Sequence, residues 1–173
     1  KALGGLAKDK STTFVTVSDK LIKDLAGTGN AAITTGLQVT THTVDSAAPT
    51  FSEFTSANPN NGQFVVKFSE PVDKSTIDFT KFKVVSDTGA TPAASYTLLS
   101  TGTTSYVDTI TKLSVLVTLA TSDLEAIQLE GNKLLTSTAN SYLVIAASAI
   151  KDMAGVAMTA TSPPTATKLV TML

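Results

Sequence analysis

The sequence predicts an all-β protein, a two-sheet sandwich of about seven strands with one short inserted helix, preceded by part of a second such unit. Two observations lead to this prediction. Short runs rich in Val, Ile, Phe, Tyr and Thr alternate with turn signals, the composition of strands rather than helices. A short segment, Ile22–Gly27, also recurs almost unchanged as Ile150–Gly155, and the two copies differ in numbering by 150 − 22 = 128.

The repeat sets the predicted domain boundaries. The same offset places Phe14–Val17 over Tyr142–Ile145, one apolar strand over another. We therefore predict that residues 45–173 form a complete domain and that residues 1–44 are the C-terminal part of a preceding repeat. A few strands cannot close a core alone, so residues 1–44 should pack on a neighbour, pair with another chain or be disordered.

The elements follow in chain order. The partial unit should contain strands at Phe14–Val17 and Ile33–Val44, and a stiff linker at Asp45–Pro49 should lead into the complete unit. Its predicted strands are Thr50–Ala57, Gln63–Ser69, Lys83–Ser86, Ala94–Leu99, Lys112–Ala120, Tyr142–Ala147 and a last strand that resumes near Met158 and ends at Thr167–Met172.

Turns and one helix complete the prediction. Asn58–Gly62 is a turn-forming run, and Thr101–Thr111 is predicted to be a loop. Ser122 and Glu125 have capping-box spacing, which places the helix before the strand at Tyr142. Strand number and spacing predict an Ig-like Greek-key β-sandwich, although the immunoglobulin cysteine pair and tryptophan are absent.

Composition excludes several classes of function. The net charge is −1, and every basic residue is a scattered lysine, so the chain offers no basic surface for nucleic acid. The absence of cysteine excludes disulfides and thiolate sites. No apolar run reaches the roughly 18 to 20 residues that span a bilayer, and the first residues do not begin a signal peptide.

Three short motifs resemble one known family. They are Asp45–Pro49, Phe68–Asp73 with the sequence FSEPVD, and Asp152–Gly155, which also occurs as Asp24–Gly27. Together they resemble the bacterial Ig-like domains of surface-layer (S-layer) proteins. The family often has Asn after the last motif, where this chain has Val156.

The resemblance implies a structural module outside the cell, and in many relatives a crystalline cell-wall layer that contains calcium. The expected partners are neighbouring copies of the same protein and adjacent Ig-like repeats, with cell-wall polysaccharide bound through other domains. The alternative is a binding or accessory module of a secreted adhesin or polysaccharide-active enzyme.

Topology adds a calcium hypothesis to this resemblance. If successive strands run in alternate directions, every second loop lies at the same pole. Asp45, Glu70, Asp73 and Asp152 would then meet there and could supply the oxygen ligands that calcium requires. The alternative is that these residues only form turns or are solvated, because carboxylates commonly accept backbone N–H bonds in turns. By the same topology, Asp24 should lie at the far pole of the preceding unit and not join this site.

No catalytic residue is predicted. The single histidine, His42, belongs to a predicted strand of the partial unit, where a surface role is expected. There is no Gly-x-Ser-x-Gly nucleophile elbow, and the spacing of the carboxylates singles out no glycosidase pair. The sequence therefore predicts a protein that is not an enzyme.

Overall fold

A computed structural model describes residues 9–99, 101–129, 133–160 and 167–173. The chain divides into two compact units, Lys1–Asp45 and Ser46–Leu173. Across the described ranges, no helix is long and apolar enough to cross a membrane.

The described part of the first unit contains a two-stranded antiparallel sheet. Strand β1 (Phe14–Val17) pairs with β2 (Ile33–Gln38), and a short 3-10 turn capped by Asp9 precedes β1. The prediction of a strand at Phe14–Val17 is confirmed, whereas the strand predicted through Val44 ends at Gln38. None of the described residues from 9 to 45 is buried.

The second unit is mostly β, as predicted, and its described residues include one α-helix, α1 (Thr121–Leu129). Eight of the ten strands described there form one mixed sheet in the order β7-β6-β10-β12-β3-β4-β9-β8, in which only the β12–β3 pair is parallel. The strands are β3 (Phe51–Asn58), β4 (Gln63–Phe68), β5 (Val72–Asp73), β6 (Phe82–Val85), β7 (Ser95–Thr97), β8 (Thr103–Tyr106), β9 (Ser114–Thr118), β10 (Tyr142–Ile145), β11 (Lys151–Asp152) and β12 (Thr167–Met172).

Three features of this unit differ from the prediction. The last strand, predicted to resume near Met158, is described only over Thr167–Met172, because residues 158–160 lie outside any strand. Strand β8 lies within the predicted loop Thr101–Thr111 and forms an outer edge of the large sheet. Strands β5 and β11 form a separate two-stranded sheet, in which Asp152 pairs with Val72. The predicted break at Pro163-Pro164 lies outside the described residues.

The hydrophobic core joins both halves of the large sheet. Phe54 of β3 and Phe64 of β4 meet edge to face, with ring centroids 5.7 Å apart. They belong to the same buried cluster as Phe82 of β6 and Leu143 of β10. Aromatic and aliphatic residues of the predicted strands therefore form the core.

The recurrent segment forms the same turn in both units. In the first unit, Asp24 N donates to Thr28 O (3.0 Å) and Thr28 N donates to the Asp24 Oδ1 (2.8 Å). In the second, Asp152 N donates to Val156 O (2.9 Å) and Val156 N donates to the Asp152 Oδ1 (2.7 Å). These two bonds therefore recur in both copies.

Backbone angles agree in the two copies as well. Gly27 and Gly155 have φ of +83° and +95°, a region that glycine enters at little cost. Lys20 and Ser148, which are related by the same offset, have φ of +57° and +60°. The local sequence therefore produces one backbone conformation in two different settings.

Candidate metal centre

Two of the predicted acidic residues lie close together in the second unit. Carboxylate oxygens of Glu70 and Asp152 are within 4.8 Å of each other. Glu70 follows the end of β4 and is half-buried, whereas Asp152 lies on β11 and is only 3% exposed. The pair therefore places one enclosed and one partly solvated carboxylate side by side.

Backbone bonds hold the segment that carries Glu70. Ser69 N donates to Thr50 O (3.0 Å), and Thr50 N donates to the Ser69 Oγ (3.0 Å). After Pro71, which lacks a donor, Val72 N donates to Lys112 O (3.2 Å). Glu70 is thus attached on both sides to neighbouring backbone.

The two oxygens of Asp152 differ in their surroundings. Oδ1 accepts the backbone N–H of Val156, which is the turn-forming role foreseen as the alternative to a metal site. Oδ2 is buried and has no hydrogen-bond partner among the residues that the structure describes. A buried carboxylate oxygen without a partner costs about 1 to 3 kcal/mol or more, so the turn accounts for one oxygen only.

A cation fits this arrangement. Calcium binds oxygen ligands, several of them carboxylates, at roughly 2.3 to 2.6 Å. A cation beside Asp152 Oδ2 would supply the missing partner and reduce the repulsion between the two carboxylates. The donor set is therefore chemically suited to calcium.

Asp73 has a different environment. It lies on β5, which pairs with β11, but its Oδ1 accepts from Ser75 N (3.0 Å) and Ser75 Oγ (2.7 Å). The Ser75 hydroxyl bond, followed by the Ser75 backbone bond and the positive charges of Lys112 and Lys74, holds the pKa of Asp73 below its usual value. Among the described residues, Asp73 is not in the group of carboxylates that contains Glu70 and Asp152.

Asp45 and Asp24 belong to the first unit. Asp45 is exposed and is its last residue, joined directly to Ser46. Asp24 is also exposed, and its Oδ1 accepts from Ala26 N (2.9 Å) and Thr28 N (2.8 Å). For Asp24, the turn-forming interpretation therefore describes what the carboxylate does.

Sequence reasoning missed one buried acidic residue. Asp123, in the first turn of α1, is 1% exposed and accepts from the Tyr96 hydroxyl (2.8 Å) and from Leu99 N (3.1 Å). It was missed because an acidic residue in a first helical turn is ordinarily solvated there. His42 lies beyond the end of β2.

Comparison with known proteins gave weak similarity. No family model matches the chain, and no curated protein matches it. Among solved structures, the chain is similar to the N-terminal part of the bacterial S-layer protein SbsC, with 16% identity and a TM-score of 0.38 over 71% of this chain and 23% of that one. It is also similar to rSbsC(31-844), with 16% identity and a TM-score of 0.37 over 72% of this chain and 14% of that one.

A third similar structure is SbsC domains 1-6, with 17% identity and a TM-score of 0.38 over 71% of this chain and 13% of that one. The chain therefore spans less than a quarter of the length of each of these structures. At these TM-scores and identities, the similarity does not establish the fold or function of this chain.

Proposed function

We propose that this chain is a structural module of a bacterial surface-layer protein, built from Ig-like sandwich units in tandem. It acts outside the cell, without catalysis, by packing end to end and side by side with adjacent repeats and neighbouring copies. The observation that carries the proposal is the recurrence of one turn, with the same two Asp-centred bonds in each copy, at the same offset as the strand before it. A chain that repeats a strand and turn at domain spacing has the construction of an array.

Calcium is the second part of the proposal. Its ligands would be Asp152 through Oδ2, Glu70, and Asp45, which immediately precedes the second unit. Asp73 was predicted with them, but it would have to break its hydrogen bonds with Ser75 to bind calcium. A bound calcium would stabilise the end of the unit where β5 and β11 meet.

Thermal unfolding with calcium and with excess chelator tests the metal site. A ligand at about 100 times its dissociation constant adds about 2.7 kcal/mol, which raises the midpoint of a unit of this size by about 10 °C. Asp152→Asn should abolish the increase. The matched control is Asp24→Asn, which alters the same turn in the first unit and should retain the full calcium effect.

Substitutions of the other acidic residues should change the effect of calcium on the midpoint by different amounts. Glu70→Gln and Asp45→Asn should reduce the calcium effect, whereas Asp73→Asn should reduce it less, because that carboxylate is already bonded to Ser75. An unchanged midpoint in chelator would contradict the calcium part and leave these carboxylates as turn-forming residues.

Surface location is tested separately on cells. Gold-labelled antibodies raised against the chain should label the surface of intact cells evenly when those cells express its parent protein. Protein extracted from these cells should reassemble into ordered sheets. Label confined to the cell interior would refute the proposal. Binding to isolated cell-wall polysaccharide without ordered surface label would favour the accessory module.

A further inference from the structure

The β1–β2 hairpin of the first unit corresponds to β10–β12 of the second. Phe14 pairs with Gln38, and Tyr142, the counterpart of Phe14, pairs with Lys168. Phe14 and Tyr142 differ in numbering by 128, whereas Gln38 and Lys168 differ by 130, so the second hairpin has a slightly longer connection. The offset of 130 after this point relates residues 39–43 of the first unit to residues 169–173, which include the rest of β12.

A hydrogen bond supports this alignment independently. Val39 N donates to Thr13 O (3.2 Å), and Leu169 N donates to Ser141 O (2.8 Å). Thr13 and Ser141 differ by 128, and Val39 and Leu169 by 130. The two hairpins therefore correspond residue by residue on both strands.

The equivalent apolar side chains differ in exposure. Val15 is 50% exposed and Ile22 is 68% exposed, whereas their counterparts Leu143 and Ile150 are 0% exposed. The first unit thus keeps apolar residues at positions that form the core of the second. Neither residue is covered by the described part of its own unit.

The strands end differently as well. In the second unit, β12 continues past its pairing with β10 and runs parallel to β3, with Leu169 opposite Phe54, Thr171 opposite Ser56 and Met172 opposite Ala57. In the first unit, β2 stops at Gln38, where its pairing with β1 also ends.

A groove lies at this point in the first unit. Its volume is about 380 Å³, and it is lined by Val15, Leu37, Gln38, Val39, Thr40 and Thr41. It therefore borders both the exposed Val15 and the start of the segment that follows β2.

We propose that residues 39–43 are an acceptor edge for one parallel strand of the β3 type, supplied by a preceding unit of the same kind. Val39 would lie opposite the residue equivalent to Phe54, Thr41 opposite the equivalent of Ser56, and His42 opposite the equivalent of Ala57. This inference rests on the tandem arrangement of the proposed function and specifies which strand completes the first unit, in which direction and in which register.

A second copy of this chain is a poorer source of that strand. Its own β3 lies between β12 and β4 in the large sheet and carries Phe54 at 0% exposure. Releasing that strand would open the core of its own unit. If residues 14–44 are the last strands of a preceding unit, the β3-type strand of that same unit can pair with them without opening any other core.

The experiment supplies the missing strands from this chain's own sequence. A copy of residues 46–141 is fused directly to the N-terminal side of Phe14, because Thr13 and Ser141 are equivalent, and amide hydrogen exchange is compared with that of the unextended chain. Among the amides of residues 40–43, those that face the added strand should exchange at least about 100-fold more slowly in the extended chain, whereas Val39 N already donates to Thr13 O without it. Equal exchange in the two chains would overturn the proposal, whether or not the added segment folds.

Two matched substitutions in the extended chain test the register. Val39→Asp should remove the added protection, because its counterpart Leu169 is 2% exposed. Thr40→Asp should leave it intact, because its counterpart Val170 is 59% exposed. If the Val39 and Thr40 substitutions change the added protection equally, the proposal is also overturned. The calcium and surface-label experiments use the unextended chain and intact cells, so failure here is distinguishable from failure of the proposed function.

Discussion

Replacing Asp123 with alanine should strongly destabilise the second unit. The carboxylate is buried and accepts hydrogen bonds from the Tyr96 hydroxyl and the Leu99 backbone. Each bond to a charged acceptor contributes about 1.5 to 3 kcal/mol, so Asp123→Ala, which removes two, should cost about 3 to 6 kcal/mol. At about 3 to 4 °C per kcal/mol, the unfolding midpoint should fall by about 10 to 25 °C.

The matched control is Glu125→Ala. Glu125 lies on the same helix and is exposed, so its removal should change the free energy of unfolding by less than about 0.5 kcal/mol. A second comparison uses Tyr96→Phe, alone and combined with Asp123→Ala, because residues in contact should show a coupling energy of about 0.5 kcal/mol or more. The reasoning is wrong if Asp123→Ala unfolds within roughly 2 °C of Glu125→Ala, since the expected loss is several times larger.

Three further variants test other parts of the fold. Gly102→Ala should cost about 3 kcal/mol by overpacking, because an added Cβ would collide with the backbone carbonyl of Thr118, and chemical denaturation would measure the loss. Gly155→Ala should cost only about 1 to 2 kcal/mol, because the space around Gly155 is open and only its φ of +95° is unfavourable for alanine. Equal losses of stability in the Gly102 and Gly155 variants would contradict this reasoning. The pKa of Asp73 is lowered in the folded state, so its ionised carboxylate stabilises the fold above the ordinary pKa of 3.8. This stabilisation is lost as the pH falls through the pKa of the folded state. In an acid titration, the Asp73→Asn variant should therefore lose less stability than the unsubstituted chain.

Interior strands carry their own signal in the sequence. In β9, Val115 and Val117 are both fully buried, and a period-2 apolar pattern is the direct consequence of such burial. In β8 the sequence Thr-Thr-Ser-Tyr carries no such pattern, because the strand lies at the edge of its sheet and only Tyr106 packs on the core. An edge strand of polar residues resembles a loop when only composition is considered.

The acidic residues show a similar division. Chain order was enough to predict that Glu70 and Asp152 belong to elements at the same end of the unit. It could not predict that Asp152 is 3% exposed, with one oxygen lacking a hydrogen-bond partner within the described part of the chain, because burial depends on the side chains packed around the turn. The calcium hypothesis depends on that burial more than on the number of carboxylates.

The two copies of the turn separate local from tertiary information. Their hydrogen bonds and φ angles agree, so a few residues determine the turn wherever it occurs. Ile22 and Ile150 occupy the same place in it, yet one is 68% exposed and the other 0%. Backbone conformation here is a property of the segment, whereas burial is a property of the strands packed on it. The strand predicted through Val44 stops at Gln38 for the same reason, since a β-strand requires a partner and a turn does not.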